Sequence, residues 1–224
     1  MPQIFLVRHA QASFGTDDYD RLSDLGRQQS RWLGEYFAER GTRFARVVAG
    51  TLKRQQQTAQ ELLGVLGDDP ARIQTHGGLD EYHGSELYAA YTGGADPVAQ
   101  QRADYRGYWQ TFRAAMLAWS EDRLPQMPET WDAFAARVRT AVQVAADGLG
   151  RDDVALVVSS GGAIGRLLGD LTGASAASAI EFNLQYRTTG FCELIANGNR
   201  LRVTSFNNIP HLERADRRGA ITYA

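Results

Sequence analysis

Cysteine is nearly absent. The one thiol, Cys192, excludes an internal disulfide framework and a cysteine-built metal cluster, and it fits a reducing compartment. Net charge is nearly absent too: 24 Lys and Arg stand against 26 Asp and Glu, leaving -2. No broad field therefore draws the chain to nucleic acid or to an anionic membrane, and an anion site must come from local clustering. There is no basic tract and no apolar run approaching a membrane span. Met1 leads into the first expected strand without a basic segment, apolar stretch and small-residue cleavage site, so a soluble cytoplasmic protein is the expectation. Repeats, low-complexity segments and linkers are missing as well. What is present is globular material: 224 residues, 43% hydrophobic and 22% charged, enough for one domain over 1–224 with an insertion.

Near the start, Ile4, Phe5, Leu6 and Val7 form a short apolar run that ends in Arg8 and His9. Such a run predicts a buried strand, with the cation and the imidazole at its carboxyl end. In an open α/β sheet that edge is where ligands bind. A guanidinium is a planar fork suited to phosphate, and histidine serves as nucleophile, acid or base near neutral pH. The pair points to phosphoryl chemistry.

The remaining pattern alternates strands with helices. A polar loop over 11–22 precedes a helix capped by Ser23, with large side chains at helical spacing to Phe37 and a stop near Gly41. A second strand over 44–49 turns through Gly50, Thr51, Leu52, Lys53 and Arg54 into a second helix, and a short third strand is expected near 72–74. From 85 to about 128 aromatics crowd among Gln, Arg and Ala, which predicts a helical insertion over the sheet's edge. Those aromatics suit core packing or a homodimer contact before a substrate lid. Glu129 and Thr130 open a long helix, and Val154, Ala155, Leu156, Val157 and Val158 make the clearest buried strand. Ser159, Ser160, Gly161 and Gly162 lead from it into a helix whose first amides are placed to face an anion. A hairpin over 190–206 turns at Asn197, Gly198 and Asn199, and the polar tail after Leu212 is expected to fray. The fold class is α/β, a doubly wound, mostly parallel sheet flanked by helices, with a helical insertion.

Leu6, Val7, Arg8, His9 and Gln11, then Leu22, Ser23, Leu25, Gly26 and Gln29, then Thr51, Leu52, Arg54, Gln57, Thr58 and Ala59 together resemble the histidine phosphatase superfamily, which includes the phosphoglycerate mutases. Leu79, Glu81, Gly84, the helix start at Glu129 and Thr130, and Gly161 and Gly162 extend the resemblance along the chain. It implies that His9 attacks phosphorus to form a phosphohistidine, that Arg8 and Arg54 grip the phosphoryl oxygens, and that Glu81 is the general acid and then the base. Gln11 and Ser13 would add hydrogen bonds. No metal or other cofactor is implied, because two guanidinium groups and helix amides supply the positive field.

Two positions depart from the family pattern. Ser160 stands where the family usually has a second histidine, and losing one such donor costs on the order of 3 kcal/mol in the transition state. His83 and the amides of Gly161 and Gly162 are the candidate replacements. Ala10 stands where glycine is usual, at a cost of about 1 kcal/mol if that residue needs positive φ. No arginine or lysine follows Glu81 until Arg102, so a small phosphomonoester and hydrolysis are favoured over mutase-type phosphotransfer to a highly anionic sugar acid. Ser160 keeps open a weakened, phospho-ligand-binding protein. Ser160, Asp170 and His211 also stand in the chain order of a serine esterase triad, although the elbow glycine is missing.

Overall fold

A computed structural model describes residues 1–13 and 20–223. Of the loop expected over 11–22, residues 14–19 lie outside the described residues. The apolar runs become the middle of a six-stranded sheet ordered β3-β2-β4-β1-β5-β6. Strands β1 (Gln3–Arg8), β2 (Arg46–Ala49), β3 (Gln74–Thr75) and β4 (Val154–Ser159) run parallel, while β5 (Phe191–Asn197) and β6 (Arg200–Asn208) form the antiparallel hairpin. Central strands β1 and β4 are apolar on consecutive residues because both of their faces are covered. Phe5 and Val7 pack on one side against α1 (Asp24–Glu39) and α2 (Lys53–Leu66) through Leu33, Phe37, Leu62 and Leu63. Ile4 and Leu6 face the other way, where the core includes Val138 and Val142 of α6 (Trp131–Ala146) and Ile164 and Leu167 of α7 (Gly161–Thr172).

This arrangement makes the cleft. Arg8 lies opposite Ser159 in the β1–β4 register, so the two strands finish level. The chain leaves β1 toward α1 on one face and leaves β4 toward α7 on the other, which opens a crevice at their carboxyl ends. The helix starts follow local chemistry: Ser23 accepts from Gly26 N at 3.0 Å and Thr130 from Ala133 N at 3.1 Å.

The aromatic stretch folds as α3 (Gly84–Thr92), α4 (Pro97–Ala103) and α5 (Tyr105–Ser120). Its rings stack on one another, Tyr88 on Tyr108 at 5.0 Å and Tyr108 on Phe112 at 5.7 Å, and Trp119 is buried against Trp131 and Phe134. Most of this surface is core, although Tyr105 is 63% exposed. Helix α8 (Ala176–Leu184) packs so closely on α7 that a Cβ at Gly169 would sit 2.6 Å from that of Ala179.

The tail does not fray. Thr188 N donates to Thr222 O at 2.9 Å, Gln29 Nε2 to Ala220 O at 2.7 Å, and Arg217 pairs with Glu35 at 2.8 Å while lying over the Trp32 ring. These are polar bonds to the backbone and to α1, a kind of anchorage that hydrophobic periodicity does not reveal. No helix among the described residues is long and apolar enough to cross a membrane.

Candidate active site

The β1–β4 ladder runs one step past Arg8, with His9 N donating to Ser159 O at 2.9 Å, and this fixes the backbone under the imidazole. The ring is oriented from both sides. Nδ1 lies 2.8 Å from Ala10 O and donates to it, while Nε2 accepts from Arg54 Nε at 3.1 Å. Burial, followed by the charges of Arg54 and Arg8, holds the His9 pKa well below the usual histidine range. The group is therefore a neutral imidazole with its lone pair on Nε2, the form a nucleophile requires.

Arg54 sits in the first turn of α2, just past the β2 end where the sequence placed it. Its Nη1 meets Asp20 Oδ1 at 2.6 Å, and Asp20 Oδ2 takes the Lys53 amide at 2.9 Å. Arg8 Nη1 donates to the backbone carbonyls of Tyr186 and, at 2.7 Å, Tyr223. Its guanidinium lies over Gly161, where a Cβ would come 3.3 Å from Arg8 Nε and 2.9 Å from Asn183 Oδ1.

Glu81 follows a short 3-10 turn, Gly77–Leu79. Its Oε2 accepts from Gly162 N at 2.9 Å and its Oε1 from Tyr82 N at 3.2 Å. Burial raises its pKa, against the pull of the Gly162 and Tyr82 amides and of Arg54 and Arg8. The charges of the same two arginines thus bear on both His9 and Glu81. Gly162 is required there, since a Cβ would fall 2.2 Å from Glu81 Oε1 and 2.3 Å from the Tyr82 ring. The expectation that the Gly162 amide faces an anionic ligand is thereby corrected. That amide is taken by the Glu81 carboxylate.

Other expectations also change. His83 is turned to solvent, its side chain 59% exposed and 3.3 Å from Glu86. Ser160 is fully buried and its Oγ accepts from Gln55 Nε2 at 2.8 Å, a tie between β4 and α2. The esterase arrangement is not assembled: Asp170 pairs with Arg139, and His211 Nε2 lies 2.8 Å from Thr189 Oγ1. Gln11 Oε1 is held by Ser23 Oγ at 2.7 Å and Ser13 N by Arg21 O at 2.8 Å, so both close the loop entrance and line a cleft with Arg21, Asp24 and Arg27. Ala10 is not among the residues with positive φ, and its amide donates to Thr58 Oγ1 at 3.0 Å, so the alanine carries no backbone penalty.

A family model for the histidine phosphatase superfamily (branch 1) matches residues 4–209. The chain belongs to the histidine phosphatase superfamily. The phosphohistidine route is general to this superfamily. Within it, the chain is 36% identical over 73 residues to the serine/threonine-protein phosphatase Pgam5, mitochondrial, of Drosophila grimshawi; the match covers 32% of this chain and 25% of that protein. The fold matches Bacillus stearothermophilus YhfR (TM-score 0.71, 18% identity, 95% of this chain and 100% of that one). It also matches mycobacterial glucosyl-3-phosphoglycerate phosphatase with inorganic phosphate (TM-score 0.65, 25% identity, 94% and 99%) and phosphoserine phosphatase of Entamoeba histolytica with phosphoserine (TM-score 0.63, 17% identity, 95% and 100%).

Some members of the site were not legible in the sequence. Asp20 and Asn183 are ordinary polar residues by any spacing rule, and Tyr186 and Tyr223 contribute only carbonyl oxygens. Thr189 N reaches His9 O at 3.4 Å from a left-handed backbone (φ 55), and buried His211 holds the Thr189 hydroxyl. A β-branched residue at positive φ is an outlier worth about 1–2 kcal/mol of strain, held here directly behind His9.

Proposed function

We propose that the chain is a phosphomonoester phosphatase that works through a phosphohistidine on Nε2 of His9, without a metal. The observation that carries this reading is the geometry of the His9 ring, Nδ1 on Ala10 O and Nε2 on Arg54 Nε, which leaves the Nε2 lone pair toward a guanidinium whose charge also bears on the buried Glu81 carboxyl. As a phosphate enters, Arg54 passes its hydrogen bond from Nε2 to a phosphoryl oxygen and Arg8 takes another. Nε2 attacks phosphorus, the ester P–O bond breaks, and Glu81 gives its proton to the departing oxygen. The Glu81 carboxylate then takes a proton from water, the new P–O bond forms, the P–N bond breaks, and neutral His9 returns.

Hydrolysis is favoured over mutase-type transfer because no cation follows Glu81 until Arg102 and because the wall beside it is aromatic, with Tyr82 near Phe112 at 6.3 Å. A small phosphomonoester is the substrate class, and the single buried thiol Cys192 supports a cytoplasmic setting. The site residues of the proposal are His9, Glu81, Arg8, Arg54 and Gly161. The test is hydrolysis of an aryl phosphate in EDTA by wild type and His9→Ala, from pH 5 to 8. Turnover that survives the chelator and vanishes in the variant supports the reading. Binding of a phosphate analogue without turnover would replace it with a phospho-ligand-binding role, the reading that Ser160 favours.

A further inference from the structure

A general acid must be held within hydrogen-bond reach of the oxygen it protonates. Glu81 is carried by no strand or helix; it follows the glycine-rich turn Gly77–Leu79. Something outside that turn has to fix it. On one side Leu79 O accepts from Gln55 Nε2 at 3.0 Å and from Ser159 Oγ at 2.6 Å. On the other side stands Arg137 of α6. Its Nη1 donates to Gly78 O at 3.1 Å and to Asp80 O at 2.8 Å, the carbonyls that bracket Leu79 and lead directly into Glu81.

The guanidinium is itself immobilised. Its Nε and Nη2 meet the two carboxylate oxygens of Glu129 at 2.8 Å each, and its plane lies over the Phe134 ring at 4.6 Å. The turn also presses on the helix, since a Cβ at Gly78 would come 2.8 Å from Arg137 O. We infer that Arg137, oriented by Glu129, is a positioning residue for the general acid, clamping the backbone of residues 78–80 so that the Glu81 carboxyl stays over the leaving oxygen. The inference rests on the proposed acid role of Glu81. A lysine at 137 is a point charge and cannot span two carbonyls and a bidentate carboxylate at once.

The readout that separates such a clamp from a general packing role is leaving-group dependence. A 2,4-dinitrophenolate departs without a proton, whereas an alkoxide needs one. We would measure kcat/KM, which reports the step up to phosphorylation of His9, for an alkyl phosphate and for 2,4-dinitrophenyl phosphate with wild type, Glu81→Gln, Arg137→Lys and Glu129→Gln. The expected result is that the alkyl to dinitrophenyl ratio falls by about 30-fold or more in Glu81→Gln and by about 10-fold in Arg137→Lys and Glu129→Gln. Glu129→Gln is nearly isosteric, so it keeps the test open if Arg137→Lys is poorly folded. A ratio that falls in Glu81→Gln and stays at the wild-type value in both clamp variants overturns the clamp alone. A ratio unchanged in Glu81→Gln overturns the acid role and the clamp with it.

Discussion

The proposed nucleophile, His9, and the proposed acid, Glu81, are held by different means. His9 extends a central strand, and its backbone is fixed by the sheet ladder through Ser159 O and by Thr189 N, while Gly190 O takes the amide of Arg8 just before it. Glu81 stands on a turn held by separate bonds from Gln55, Ser159 and Arg137, and its carboxylate rests on the amides of Gly162 and Tyr82. The nucleophile's place is therefore shared among cooperative main-chain bonds, while the acid's depends on single side chains that one substitution removes.

Several substitutions sharpen or break this contrast. The largest effect is expected from His9→Ala, which should lower turnover on every ester by on the order of 10⁴-fold or more, whereas Glu81→Gln should lower it by roughly 10²-fold to 10³-fold on alkyl esters. Equal losses for the two, across esters of different leaving groups, would show that the halves do not have separate duties. Next is Gly162→Ala. Its Cβ would displace Glu81 or Tyr82, and we expect about 10²-fold less activity with His9 still oriented. An intact rate in that variant would show that Glu81 acts from another position.

The two halves should also respond to pH with opposite sign. Burial, with Arg217 nearby, lowers the His211 pKa from 6.5 to about 3. Stability from this group is full above pH 6.5 and is lost as pH falls toward 3, by about 2 kcal/mol at pH 5. His9 is shifted in the same direction. Glu81 is shifted upward, so its contribution is present at low pH and lost as pH rises through its folded value. Urea midpoints should thus be less acid-sensitive in His211→Asn than in wild type, and Glu81→Gln should gain on wild type as pH rises. Parallel pH profiles for all three would refute the contrast. The smallest effect is expected from Asp20→Asn, which weakens the charge-assisted bond to Arg54 and should raise KM by about tenfold.

Legibility followed the same division. Runs such as Ile4 to Val7 and Val154 to Val158 announce buried strands, and Ser23 and Thr130 announce helix starts, because those signals are local. The ends of β1 and β4 therefore place His9 beside the cleft from sequence alone. Helix α8 is not legible in the sequence because its small residues carry no strong apolar stripe, and its packing depends on Gly165 and Gly169 of a different helix. The tail is not legible either, because its anchors are carbonyls. That His83 turns to solvent and that the Ser160 hydroxyl meets Gln55 are not readable, because sequence proximity to a site says nothing of which way a side chain turns.

Gly162 joins Glu81 to the first turn of α7, and a helix N-terminus behaves as about half a positive charge. When the carboxyl gives up its proton, the new negative charge forms against that end. It is released when water is deprotonated. In the proposed cycle the helix therefore works as one plate of a capacitor, charged during phosphorylation of His9 and discharged during hydrolysis. A substrate that left without needing a proton would pass through the cleft with that plate idle.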